Sequence, residues 1–184
     1  MGLVALIAAL LHQKNGQNDL SIGIPISGRN HLCLEPLIGC FINLLTLRIH
    51  LESHSSFGEL IDTVARSSLE AYDHSDLPYT LLKGSLWPEQ PPHAHVPVVV
   101  QLLNLPWTPY LKGLQMIRAK SPSRRARHPL EFRFRQADDR ALQTKITFST
   151  DHFDHSSIHQ LFHDMVQLLS LGIERPDQPM QSAE

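Results

Sequence analysis

SIGIPISGRN, residues 21–30, and LIGCFINLLTLR, residues 37–48, decide how this chain is read. In the first stretch Ile22, Ile24 and Ile26 alternate with small residues, which is the period of a strand. Pro25 cannot donate to a ladder, so it predicts an edge strand or one that ends early. GRNHLCLEP between the two stretches reads as a loop. The second stretch leaves a tight turn at Gly39 and continues to residue 51 as an unbroken apolar strand.

Toward the N-terminus, residues 2–13 are rich in Ala and Leu and predict a helix that stops at Asn15-Gly16. MGLVALIAALL lacks the basic start and cleavage site of a signal peptide. It is also well short of the ~20 residues that span a bilayer, so it reads as a buried helix. Toward the C-terminus a helix is predicted from Ser56 to Tyr72. Ser56 caps it, Glu59 completes a capping box, and Leu60, Ile61, Val64 and Leu69 form its buried stripe. HSDLPYTLLKGSL, residues 74–86, is a turn followed by a short helix opening at Pro78.

WPEQPPHAHVP is a proline-rich linker or excursion. VVVQLLNL, residues 98–105, reads as a strand buried on both faces. LQMIRAK (114–120), LEFRFRQ (130–136) and LQTKITFST (142–150) read as three more strands, with Leu130, Phe132 and Phe134 sharing one face. A last helix over 156–171 presents Ile158, Leu161, Phe162, Met165, Leu168 and Leu169. No internal repeat interrupts this order. It predicts an α/β fold, a mixed sheet with helices packed mainly on one face, in a single domain over 1–184.

With 184 residues the chain buries about 70% of its unfolded surface, enough for a core without staples. Apolar residues at 42% and charged residues at 18% exclude charge-driven disorder. A net charge of −2 gives no field to recommend nucleic acid or a membrane surface. The basic run Arg118, Lys120, Arg124, Arg125 and Arg127 reads as a solvated loop. Two cysteines, Cys33 and Cys40, are too few for a disulfide scaffold, and a reducing cytoplasm is the default. Protonating most of the 12 histidines would turn the chain basic, so stability is expected to suffer below about pH 6.

Few residues carry chemistry by spacing alone. No GxSxG elbow, GxGxxG turn or phosphate loop is present. Cys40 sits in an apolar run, where a buried inert thiol is expected. His155, His159 and His163 recur along one side of the last helix with His152 and Asp154 nearby. They lack an HEXXH pattern, and no metal site is expected.

Four stretches in fixed order rise above this background. Ile22-Gly23, Pro25 and Gly28-Arg29 fit IGxPxxGR. Ile38-Gly39, Phe41, Asn43, Leu45, Leu47 and Arg48 fit IGxFxNxLxLR. His74, Asp76, Leu77, Pro78 and Tyr79 fit HQDxPFE, with Ser75 and Thr80 departing from it. Phe153-Asp154 fits a strand end before the last helix, and PDQP at 176–179 fits the exit. Together they resemble the C-terminal half of the condensation domain of nonribosomal peptide synthetases, over nearly the whole chain.

The resemblance implies one lobe of a chloramphenicol-acetyltransferase-like pseudo-dimer. Its complete form joins aminoacyl and peptidyl groups tethered to carrier proteins. The family's catalytic HHxxxDG lies in the N-terminal lobe; these 184 residues hold no HH pair, and PPHAHVPVVV is a degenerate RDxSRNPLF. The resemblance therefore implies no catalytic residue here and a chain that is silent alone: a fragment, a split-enzyme half or a remnant. It places Asn43 at the substrate tunnel, where it would orient a carbonyl or pantetheine arm. The amide's alternative use is to tie a strand end to a loop.

Gly28, Arg29, Gly39, Arg48, His74, Asp76 and Pro78 are expected to be structural. Phosphopantetheine arms enter only as parts of substrates. The expected partners are an N-terminal lobe or split partner chain and peptidyl carrier proteins. The rival expectation is a non-catalytic module that binds a carrier protein or forms a homo-oligomer through the lobe interface.

Overall fold

The computed structural model describes residues 1–52, 55–89, 96–103, 113, 126–136 and 141–180. The LQMIRAK stretch and the basic residues Arg118, Lys120, Arg124 and Arg125 lie outside them. Along the described chain run α1 (Gly2–Asn15), β1 (Asp19–Ile26), a 3-10 turn (Leu32–Leu34), β2 (Asn43–His50) and α2 (Phe57–Asp73). They are followed by α3 (Tyr79–Leu86), β3 (Val98–Leu103), β4 (Leu130–Gln136), β5 (Leu142–Phe148) and α4 (His155–Glu174).

Helix α1 is apolar on every side because it is surrounded. All residues from Val4 to Leu10 are buried, and the helix packs on α2, α4, β1 and β3. It closes on Gly16 in the left-handed region (φ 68°), whose N–H donates to the His12 carbonyl. Helix α2 begins with a reciprocal capping box. The Glu59 N–H donates to Ser56 Oγ at 3.2 Å, and the Ser56 N–H donates to Glu59 Oε2 at 2.8 Å. Its buried face is Phe57, Leu60, Val64 and Ser68. Leu69, expected in that stripe, is 63% exposed, because the buried arc ends on Ser68, whose hydroxyl donates to the Val64 carbonyl at 2.7 Å.

One mixed sheet runs in the order β2-β1-β3-β4-β5, with β1/β2 and β4/β5 antiparallel and β1/β3 and β3/β4 parallel. β1 is therefore an internal strand, which corrects the edge placement suggested by Pro25. Pairing with β3 covers only Ile22 and Gly23, so Pro25 lies beyond it. The edges are β2 and β5, and β2 alternates where a continuous apolar strand was expected. Leu45, Leu47 and Ile49 are buried, whereas Arg48 and His50 are exposed. β3 is buried on both faces only from Val98 to Val100; Leu102 and Leu103 are exposed.

Strand alternation sorts the sheet into two faces. Leu20, Ile22, Leu47, Val98, Leu130 and Phe132 join one core with α1, α2 and α4. Phe132 and Phe134 stack with ring centroids 6.5 Å apart. The opposite face carries Gly23, Leu44, Val99, Gln101, Glu131 and Arg133. The α/β lobe with helices mainly on one face is thus the observed architecture, with the start of α3 bordering the other. Among the described residues no helix is long and apolar enough to cross a membrane.

Candidate functional site

Three of the four motif stretches meet at one end of the sheet, where β1 stops and β2 starts. Asn43 is the joint. Its Nδ2 donates to the carbonyls of Ser75 (3.0 Å) and Leu77 (2.9 Å). Its Oδ1 accepts the N–H of Tyr79 and of Leu44, both at 2.9 Å. Every polar atom of the amide is thus engaged with backbone, and the 74–79 turn is hung from the first residue of β2. Asn30 adds a second tie, donating to Asp76 Oδ1 at 3.0 Å and Ser75 Oγ at 3.2 Å.

The loop between the strands is organised on Arg29. Its guanidinium donates to the carbonyls of Leu34, Glu35 and Gly39 and lies 4.4 Å from the centroid of the Phe41 ring. A planar fork with several donors suits this task better than an ammonium. Gly28 sits at φ 64°, and a Cβ there would stand 1.9 Å from the Phe41 carbonyl oxygen. At Gly39 a Cβ would stand 3.0 Å from the Phe41 ring. Cys33 and Cys40 are both free and exposed, so the burial expected for Cys40 is corrected: the apolar run here is loop, and the strand begins only at Asn43.

His74 caps the C-terminus of α2, its N–H donating to the Ala71 carbonyl at 3.3 Å and its carbonyl accepting from Leu77 at 3.2 Å. Pro78 is the N-cap of α3, and its carbonyl accepts from Leu81 and Leu82. Arg48 lies at the other end of β2. It grips Asp19 with Nε at 2.9 Å and Nη2 at 2.7 Å, which holds the Asp19 carboxyl below its usual range. Asp154 caps α4 through bonds of 2.7 Å from the Ser156 hydroxyl and the Ser157 N–H, which likewise keep its carboxyl low. The exit segment returns along α2: the Gly58 N–H donates to the Pro176 carbonyl at 2.8 Å.

Beside the Asn43 joint, on the sheet face opposite α1, α2 and α4, a cleft of about 450 Å³ opens between the start of α3 and the middle strands. Asn43, Tyr79, Gln101, His128, Glu131 and Arg133 are among its lining. Burial raises the Tyr79 phenol above its ordinary range. Glu131 is only 6% exposed and pairs with Arg133 at 3.1 Å. His128 Nδ1 lies 3.0 Å from the Val96 carbonyl. The motifs did not point to His128, Gln101 or Glu131. The one available signal was LEFRFRQ, whose alternation puts Glu131 and Arg133 opposite Leu130 and Phe132.

The α4 histidines do not converge. His155 packs edge-on against Phe148 at 5.1 Å, and among the described residues no three His, Cys, Asp or Glu side chains stand close enough to hold a metal ion.

Residues 1–184 match the family described as Condensation domain. A linear gramicidin synthase subunit from Brevibacillus parabrevis is 31% identical over 187 residues, covering 99% of this chain and 2% of that protein. The crystal structure of the X-domain from teicoplanin biosynthesis superposes with a TM-score of 0.88 at 23% identity, over 100% of this chain and 43% of the other. The first condensation domain of the calcium-dependent antibiotic synthetase, in complex with a substrate analogue, gives a TM-score of 0.76 at 18% identity, over 97% and 39%. The chain thus spans less than half of either solved domain and a small part of the synthase.

Proposed function

This chain belongs to the condensation domain family, part of a nonribosomal peptide synthetase condensation-type domain, and on that premise we propose that it acts as the C-terminal lobe. A second lobe carrying HHxxxDG covers the sheet face opposite α1, α2 and α4. The completed domain then joins a carrier-tethered aminoacyl or peptidyl thioester to an amine. The attacking nitrogen forms the C–N bond, the C–S bond breaks, and the amine proton passes through a base to the departing thiolate. Pantetheine arms are substrate, not resident cofactor.

The observation that carries this reading is the sidedness of the sheet. Three helices cover one face, while the other holds the cleft, whose lining includes Pro25, Asn43 and Pro78 from the first three motif stretches. A chamber between two lobes needs such a wall, because holding two tethered reactants in line supplies much of the rate. The base belongs to the other lobe. Asn43 keeps the wall's rim in place at the tunnel, and Gly28, Arg29, Gly39, His74, Asp76 and Pro78 hold the loops around it. Arg48 braces the far end of β2. Alone the lobe makes no amide.

The test is amide formation from carrier-bound aminoacyl thioesters with this chain, an HHxxxDG lobe, and both together. Product only from the mixture supports the reading. Specific carrier binding or self-association through that face, with no product from any mixture, would instead favour a non-catalytic interaction module.

A further inference from the structure

Cations gather on the sheet face opposite α1, α2 and α4. Strand register sets Gln101, Arg133 and Lys145 side by side across β3, β4 and β5, with Leu103, Arg135 and Gln143 in the next row. The rows point away from the core, since they alternate with Val100, Phe132, Phe134 and Ile146. None of the six carries a carboxyl group. Arg133 and Lys145 are direct cross-strand partners, and like charges so placed destabilise a sheet. Glu131 takes one end of Arg133 at 3.1 Å, whereas Arg135 and Lys145 form no ion pair among the described residues.

The helix layer has the opposite sign. Helices α2 and α4 together hold six carboxylates against one arginine, Arg66. A chain of net charge −2 therefore presents cations on one side of its sheet and anions on the helices covering the other. An acidic surface is turned away by the helices and drawn to β4 and β5, where it also relieves the repulsion between Arg133 and Lys145. Leu103, 41% exposed, gives the same contact an apolar member. The turn after Arg135 contains Asp138 and Asp139, which lie outside the described residues. Lys145, the middle residue of β5, is exposed and is the position to test.

We propose that these two rows form an electrostatic seat for a carboxylate-bearing surface of the second lobe. This rests on the reading that a lobe carrying HHxxxDG covers this face, and it adds the chemistry of what meets β4 and β5: aspartate or glutamate side chains paired with Lys145 and Arg133. Continuity favours that occupant, because Gln101 and Arg133 belong both to the first row and to the cleft lining. The seat sets the register of the lobes and takes no part in bond formation.

Zero-length carbodiimide coupling reads the contact directly, because it joins an amine to a carboxylate only where the two already meet. The chain is mixed with a lobe carrying HHxxxDG, coupled, digested and analysed by mass spectrometry, and affinity is measured in parallel by calorimetry. An amide between Lys145 and an aspartate or glutamate of the second lobe is expected. K145E should bind about tenfold more weakly than wild type, and wild-type binding should weaken as salt is raised. K145R should lose the cross-link and keep its affinity within about twofold, since arginine retains the charge. R66E, on the helix layer, should bind like wild type.

The isolated K145E chain should melt at or above the wild-type temperature, because a glutamate there pairs with Arg133. Damage to the fold would move stability and binding in the same direction, whereas the seat moves them apart. If K145E does not fold, K145Q carries the affinity test, with a smaller loss expected. A complex of unchanged affinity in the folded variant, or one in which Lys145 couples to no carboxylate of the second lobe, overturns the seat and leaves the second lobe as partner. Coupling of Lys145 to another copy of this chain overturns it in favour of self-association. No complex with wild type overturns the seat and the two-lobe reading together.

Discussion

The backbone N–H of Tyr79 donates to the side-chain oxygen of Asn43 at 2.9 Å, tying the first residue of α3 to the first residue of β2. With the bonds to Ser75 and Leu77, one amide holds the whole turn against the sheet. Replacing Asn43 with Ala removes three inter-segment hydrogen bonds and leaves backbone groups short of partners. The expected loss is about 2–3 kcal/mol, since a net bond contributes about 0.5–1.5 kcal/mol. N43D should be no better, because its carboxylate would face the Ser75 and Leu77 carbonyls. Urea unfolding checks both; a stable N43A that loses only activity would show that the amide serves substrate rather than fold.

Gly28 allows the loop from residue 27 to 42 to close under Phe41. G28A adds a Cβ 1.9 Å from a backbone oxygen at a positive φ, where no flexible side chain can give way. A loss of about 2 kcal/mol or more is expected, in the range of a strained backbone position with a clash. Hydrogen exchange should accelerate in residues 28–42 before the core strands. Exchange unchanged there would mean that the loop relaxes without cost.

Arg29→Lys tests the same loop from the other side. An ammonium keeps the charge but cannot reach the Leu34, Glu35 and Gly39 carbonyls as a planar fork while stacking on Phe41. Limited proteolysis should cut the variant within residues 31–42 several times faster than wild type. Equal rates would show that charge alone organises the loop.

Gly172 provides a control remote from the cleft. A Cβ there meets Phe57 Cδ1 at 2.7 Å, at the contact between α4 and α2. G172A should cost about 1–3 kcal/mol by overpacking, although alanine favours the helix itself. Thermal unfolding measures it, and a midpoint equal to that of wild type would show that Phe57 gives way without cost.

Acid should loosen the helix layer first. Asp164 joins α4 to α1 through its ion pair with Lys14, which holds its carboxyl below the ordinary value of 3.8. Such a depressed carboxylate contributes stability that is fully present above its unfolded pKa and is lost as pH falls through the folded one. The decline attributable to Asp164 therefore begins as pH drops through about 4. D164N should flatten that part of the stability-against-pH curve; a curve unchanged by D164N would contradict the assignment.

Local signals in the sequence translated well into structure where one residue type permits one task. The Ser56–Glu59 box, the buried α1 and the alternation of Leu130, Phe132 and Phe134 all fall where the residues predict. Non-local pairing was less legible. Pro25 suggested an edge because a sequence does not reveal that β3 pairs only with Ile22 and Gly23. Leu69 looked buried because its spacing fits, yet the arc that α2 turns inward is set by β2 and α1. The cleft was hidden for the same reason: His128 and Glu131 meet Asn43 only through sheet order, and their chemistry depends on Val96 and Arg133 as partners.

Whether the sheet face opposite α1, α2 and α4 is one half of a lobe interface is tested most directly by light scattering on a sizing column, with and without a lobe carrying HHxxxDG. A stable one-to-one complex, weakened by Gln101→Glu at the half-buried cleft position on that face, is the predicted result. A monomer whose mass does not change when the second lobe is added would contradict it.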